Sequence, residues 1–158
     1  MRGATVRVTN PSDRRIKIAW SAARGGGFAQ PYVRLVEVRK QVSGGNTTWT
    51  VGSNAQIWNS GFAFQHPYMT TNANGEVGIN TAYGGGGNYP TPLVGFVGDS
   101  NMHWIVKSTT AINRWGDYSA IRKHGGNPKL FAVSDYYLSG TTGVVHQYRL
   151  FGRTADVP

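Results

Sequence analysis

The chain has 158 residues, 16 lysines and arginines against 7 aspartates and glutamates, a formal net charge of +9, and no cysteine. That excludes disulfides, thiolate metal sites and thiol nucleophiles, and no apolar run approaches the roughly 18 residues of a membrane helix. Glycine is abundant at 22 residues, charged residues are sparse at 15% and aromatics reach 12%, the balance of a turn-rich all-β protein of one domain rather than of a disordered chain.

The opening segment MRGATVRVTN lacks the apolar core of a secretory signal and enters a strand at once, with Val6 and Val8 alternating with Arg7. In RRIKIAW, Ile16, Ile18 and Trp20 fall on one face, and Arg15, Lys17 and Ala19 on the other. YVRLVEVR sets Val33, Leu35, Glu37 and Arg39 against Tyr32, Arg34, Val36 and Val38. Residues 1–40 hold nine of the basic groups and two acids, +7 of the +9, which favours acidic partners. Arg7, Arg15 and Lys17 are the candidate partner contacts, although cations on a strand also discourage edge-to-edge aggregation.

Further strands are predicted at 46–51, 66–71, 76–83, 92–98, 102–107, 117–122, 129–138 and 143–151. Between them stand the turn signals NPSD, RGGG, SGGN, NANG, GGGGNYP, GDSN, HGGNP and SGTTG.

Residues 9–38 echo residues 71–97: a Thr-Asn turn, an alternating strand ending in Ala19-Trp20 or Ala82-Tyr83, a glycine-rich loop, a proline (Pro31 or Pro92) and a second strand. A repeat of this length holding about four strands is a propeller blade. The expected blades span approximately 1–55, 56–112 and 113–153, with a tail at 154–158. Three blades do not close a ring, since propellers typically have four to eight. The chain is therefore expected to be part of a longer protein, to pair with a second copy, or to dock on another subunit.

The segments AWSAARGGGFAQPYVRLVEV, IWNSGFAFQHPYMTTNANGEVGINTAYGGGG, RWGDYSAIR and YRLFGR together resemble the C-terminal half of a family of bacterial sialidase-like β-propeller proteins, of the type carrying Asp-box (BNR) repeats, over about residues 15–153. The resemblance implies a six-bladed ring and an extracellular, cell-surface or periplasmic setting. It does not bring the sialidase catalytic set, which is scattered over six blades. The nearest match to the Asp-box is VSGGNTTW, where only Thr48 and Trp49 fit.

The densest chemistry lies in NRWGDYSAIR. Arg114, Asp117, Tyr118 and Arg122 offer two cations, a carboxylate and a phenol beside Trp115. On the functional reading they flank a channel and hold a carboxylate, sulfate or phosphate. On the structural reading Trp115 packs between blades, Gly116 turns the chain, and Asp117 caps amides or pairs with an arginine. A Tyr–acid pair is also what the resemblance implies for a glycosidase nucleophile and its base. His66 precedes an inner strand and is read as a channel residue or a hydrogen-bonded structural histidine.

The four histidines show no metal-ligand spacing, YGGGGNYP lacks the Lys-Ser/Thr ending of a phosphate loop, and GDYSA is not a nucleophile elbow. No metal and no cofactor are expected. Nucleic acid is not the expected partner, because it calls for aromatics interleaved with cations on one surface. Trp20, Trp49, Trp58, Phe62 and Phe64 are instead read as strand or inter-blade residues.

The expected role is a non-catalytic propeller module that binds a protein partner, a second copy or an anionic glycan. The alternative is a sialidase-type glycoside hydrolase completed by other blades or a second chain. That alternative needs two carboxyl groups, or a tyrosine and a carboxylate, in one pocket. Asp117, Asp135 and Glu76 are the acids on which it turns.

Overall fold

The computed structural model describes residues 4–10, 12–104, 106–112 and 115–157, with the backbone alone for Ala4–Asn10. The described residues form eleven strands in three antiparallel sheets. The first sheet runs β1 (Ala4–Asn10), β2 (Asp13–Ala22), β3 (Tyr32–Ser43) and β4 (Asn46–Ile57). The second runs β5 (Ala63–Thr71), β6 (Val77–Gly85), β7 (Asn88–Phe96) and β8 (Met102–Trp104). The third holds β9 (Ala120–Lys123), β10 (Phe131–Ser139) and β11 (Gly143–Phe151), followed by one 3-10 turn at Thr154–Asp156.

Within each sheet, strand order follows chain order. The inner strand β5 touches β1, β2 and β3 on one side and β9 on the other. The fold is all-β, three propeller-type blades that do not close a ring. Among the described residues the third blade has three strands rather than four.

Glycine sets the tight corners. β3–β4 and β6–β7 turn on Gly44-Gly45 (φ 56° and 79°) and Gly86-Gly87 (φ 58° and 84°). A two-residue hairpin whose twist matches its strands needs positive φ at both positions, which costs a side-chain-bearing residue 1–2 kcal/mol or so.

Two cores hold the stack. Between the first and second sheets, Ala19, Val33 and Leu35 meet Phe64, Met69, Val77, Ile79, Tyr83 and Leu93. Between the second and third, Val94 meets Ile121, Phe131 and Val133. Each fully buried aliphatic or phenyl group of this kind contributes about 1.5–3 kcal/mol. β7 serves both cores, Leu93 in one and Val94 in the other, as the two-residue period of a strand dictates. The middle sheet is thus covered on both faces, and each flanking sheet on one.

It is the face of Arg15, Lys17 and Ala19 that turns to the second sheet, and that of Ile16, Ile18 and Trp20 that turns outward. The inward charges are neutralised in place. Arg39 donates two hydrogen bonds to Asp13 (2.8 and 2.6 Å), and Lys17 sits 2.8 Å from Glu37. Arg15 reaches both acids, at 3.5 and 3.8 Å.

The repeat is structural in part. Ala19 and Ala82 occupy second strands of successive blades. The prolines are not equivalent: Pro92 pairs with Ala82 inside β7, whereas Ala19 pairs with Leu35, and Pro31 precedes β3. The longer loop before β3 accounts for the offset.

Candidate functional site

His66 is where the chain departs most from regular strand. The β5–β6 register shifts between Gln65 and Tyr68, around the buried Pro67, whose ring cannot donate to a ladder. The shift leaves His66 at φ 55°, the left-handed region that non-glycine residues seldom occupy. Its amide donates to Ser21 Oγ of the first blade at 3.0 Å.

The loop entering β9 packs on this imidazole. Trp115 lies with its ring centre 6.2 Å from that of His66. Gly116, at φ 107°, presses its backbone against the ring, and a Cβ there would come within 2.5 Å of His66 Cδ2. The Gly116 amide donates to Tyr136 Oη at 2.6 Å, and Tyr136 stands 5.4 Å from Trp115 and 6.0 Å from His146, centre to centre. Burial raises the Tyr136 phenol above its ordinary value, and the charges of Asp135 and Asp117 push the same way, against hydrogen bonds from the loop amides. The group stays a neutral phenol.

A hollow of about 350 Å³ beside this cluster is bounded by Gln65, His66, Pro90, Ile112 and Trp115. The Trp115 indole N–H is buried without an acceptor among the described residues.

Of the predicted site residues, the structure brings His66 and Trp115 together. Asp117 and Tyr118 project from the loop, Tyr118 with 79% of its surface exposed. Arg122 is elsewhere: alternation along β9 turns Ile121 into the core and Arg122 onto the open face of the third sheet, beside Ala132 and Tyr148. Arg114 lies outside the described residues, as does the Arg7 side chain; the Arg7 backbone pairs with Arg15. Arg15 and Lys17 are held in the ion pairs with Asp13 and Glu37 described above.

Asp135 and Glu76 lie apart, while the charges of Asp135 and Asp117 both reach Tyr136. Asp135 is 1% exposed, between the second and third sheets. It accepts from Asn80 Nδ2 (2.8 Å), Ser119 Oγ (2.9 Å) and the Tyr136 amide (2.7 Å). Burial still pushes its carboxyl above the usual carboxylate range. Glu76 sits in the β5–β6 turn, at the end of β5 away from His66, bonded to Arg153 and Asn72. Among the described residues, no three His, Asp or Glu side chains are grouped to hold a metal ion, and no helix is long and apolar enough to cross a membrane.

A second concavity was not singled out in the sequence. A cleft of about 780 Å³ opens between the first and second blades at their outer strands. Phe62, Phe64 and Leu93 are among its lining, with Trp58 and Trp104 at 53% and 56% exposure. Lys107 Nζ lies 4.3 Å from the Trp104 ring centre. The lining of the cleft includes Met102 and Trp104 of β8 and Ala55 and Ile57 of β4. Single tryptophans in IWNSGF and MHWIVK give no sign in sequence that folding will face them across one opening.

The aromatics divide differently from expectation. Phe62 and Phe64 do pack between blades. Trp20 and Trp49 lie on the outer face of the first sheet, the latter 56% exposed, each with a cation over its ring: Arg34 at 5.8 Å and Lys40 at 5.6 Å.

No known protein family, curated protein or solved structure matches this chain.

Proposed function

We propose that the chain is a non-catalytic propeller module that works in assembly, its blade stack completed by a protein partner on an uncovered end face. The observation that carries this reading is the contrast between sheets. The middle sheet has both faces covered, while the first presents Ile16, Ile18, Val36 and Val38 outward, with Val51 69% exposed. Sheet faces of this composition are buried wherever two blades meet in this molecule, and a contiguous apolar patch on a surface marks a contact site. The kinship with sialidase-like propellers belongs to the same proposal and supplies its six-bladed frame.

The hydrolase alternative draws no support from Asp135 or Glu76, since Asp135 is enclosed and Glu76 is paired at the far end of its blade. An anionic glycan has one observation in its favour, the Trp58–Trp104 cleft with Lys107 at its rim. Indole faces and an ammonium suit an acidic sugar.

Light scattering combined with an apolar fluorescent dye tests the assembly reading. The expected result is a mass of 17.2 kDa with dye binding that falls when Ile18 and Val38 become serine; a mass of two copies would keep the assembly reading with the chain as its own partner. A monomer that binds no dye and cleaves an aryl glycoside would overturn it.

A further inference from the structure

The outer face of the first sheet is electrostatically one-sided. Cross-strand pairing places Arg14, Ile16, Ile18 and Trp20 of β2 on it, beside Arg34, Val36, Val38 and Lys40 of β3 and Trp49 and Val51 of β4. The only acids in residues 1–57 are Asp13 and Glu37, and both are on the opposite face, in ion pairs. The outer face therefore carries cations without a carboxylate among its described side chains. The cations sit at its ends: Arg34 at one, Arg14 and Lys40 at the other, about 20 Å apart at the rise of a strand. Between them run the branched aliphatics.

An apolar centre rimmed by arginine, lysine and tryptophan is the anatomy of a protein interface. A single-stranded nucleic acid also takes cations and indoles, but the strip of isoleucine and valine offers nothing to a phosphate backbone. A second copy is the wrong occupant too. The chain's other open face, on the third sheet, presents Arg122, His146, Tyr148 and Leu150, and β9, β10 and β11 place no acid on it; the one acid near it is Asp117 of the loop, by Tyr136. Copy on copy would set cations against Arg122.

Resting on the assembly reading above, we infer that this face docks an apolar, acid-rimmed β-sheet face of a different polypeptide. Carboxylates on that partner meet Arg14, Arg34 and Lys40, and its aliphatic centre covers Ile16, Ile18, Val36 and Val38.

The test uses the full chain and a peptide of alternating leucine and glutamate as long as β3, 12 residues, followed by tryptophan fluorescence. The controls are the leucine–lysine peptide and single-stranded oligothymidylate. The acidic peptide is expected to bind, more weakly as salt rises, and about tenfold or more weakly to Arg34→Glu/Lys40→Glu. The Ile18→Ser/Val38→Ser protein is expected to lose binding as well; both variants change half-buried positions on the outward face, and circular dichroism verifies their fold. If the serine variant loses binding but the charge-reversed one does not, the acid rim is wrong and the assembly reading stands. If neither variant matters, the assembly reading fails at this face. No binding of the acidic peptide, equal binding of the basic one, tighter binding of oligothymidylate, or a dimer that strengthens with salt would each overturn the inference.

Discussion

Asn80 and Asp135 join the second blade to the third: the amide Nδ2 donates to the carboxyl Oδ2 at 2.8 Å, with both side chains buried. Burial lifts the Asp135 carboxyl above its ordinary range even though Asn80, the Tyr136 amide and Ser119 donate to it. A raised value in the folded state means that the unfolded chain gives up this proton first. The group's contribution is full below the ordinary carboxylate pKa and is lost as pH rises through the folded value. Asp135→Asn should therefore gain on the wild type as pH rises from the acid side. Urea unfolding of both proteins over a pH series measures the difference, and parallel curves would contradict it.

Arg153 makes the opposite prediction at the other end of the blades. Its guanidinium bonds Asp99 Oδ2 at 2.6 Å and Glu76 Oε1 at 2.8 Å, and its Cζ lies 3.7 Å from the centre of the Phe96 ring. The hydrogen bond from Arg153 holds Asp99 below the ordinary range. Burial works to raise Glu76, yet bonds from Arg153 and Asn72 keep it low. Depressed carboxyls stabilise the fold above their unfolded pKa, and that contribution is lost as pH falls through the folded value. Arg153→Met should cost little at neutral pH, because the cluster is partly exposed and screened. It should also flatten the acid limb of the stability curve, and it should lose its effect in high salt.

Gly116→Ala combines two penalties, a backbone at φ 107° and a methyl driven into the His66 ring. A loss of about 2–4 kcal/mol is expected, read as a lower midpoint in denaturant. Gly78→Ala, where the methyl would meet the Phe131 ring at 2.8 Å, should cost about 1–3 kcal/mol by overpacking alone. If Gly116→Ala proved the milder of the two, the packing assigned to His66 would be wrong.

Glu37 is 8% exposed and bonded to Lys17. Glu37→Leu alone leaves a half-buried ammonium beside an apolar group and should destabilise by about 2–3 kcal/mol. Adding Lys17→Met should restore most of that, because replacing both members of a buried pair is far cheaper than orphaning one. A double-mutant cycle in thermal unfolding reports the coupling.

Strand alternation made most of the sheets legible in the sequence, and glycine decided where it failed. The predicted strand 46–51 stops at Gly52, yet β4 continues to Ile57. The register of β3 and β4 shifts there, and a Cβ at Gly52 would come 2.9 Å from the Glu37 carboxylate. The residue that looks like a terminator admits a buried acid. The candidate site was legible only where neighbours in sequence share a loop, as Trp115 and Gly116 do. Arg122 left the group because a strand sends adjacent side chains to opposite faces. The meeting of His66 with Trp115, or the sharing of one cleft by Trp58 and Trp104, depends on how blades stack, and no local pattern encodes it.

The Arg153 clamp also bears on the order in which the chain acquires its shape during synthesis. Arg153 and Glu76 are separated by 77 positions, and the turn that follows Arg153 adds Asp156 bonds to Asn74 and Lys129. The first two blades complete their mutual core from residues made early. The latch on the third waits for the ribosome to release residues 153–156. Until then the last sheet is held by its apolar contacts and by the hydrogen bonds of Asn80 to Asp135 and Asn72 to Lys129, so nascent chains halted just short of Arg153 mark the stage at which the third blade is easiest to pull away.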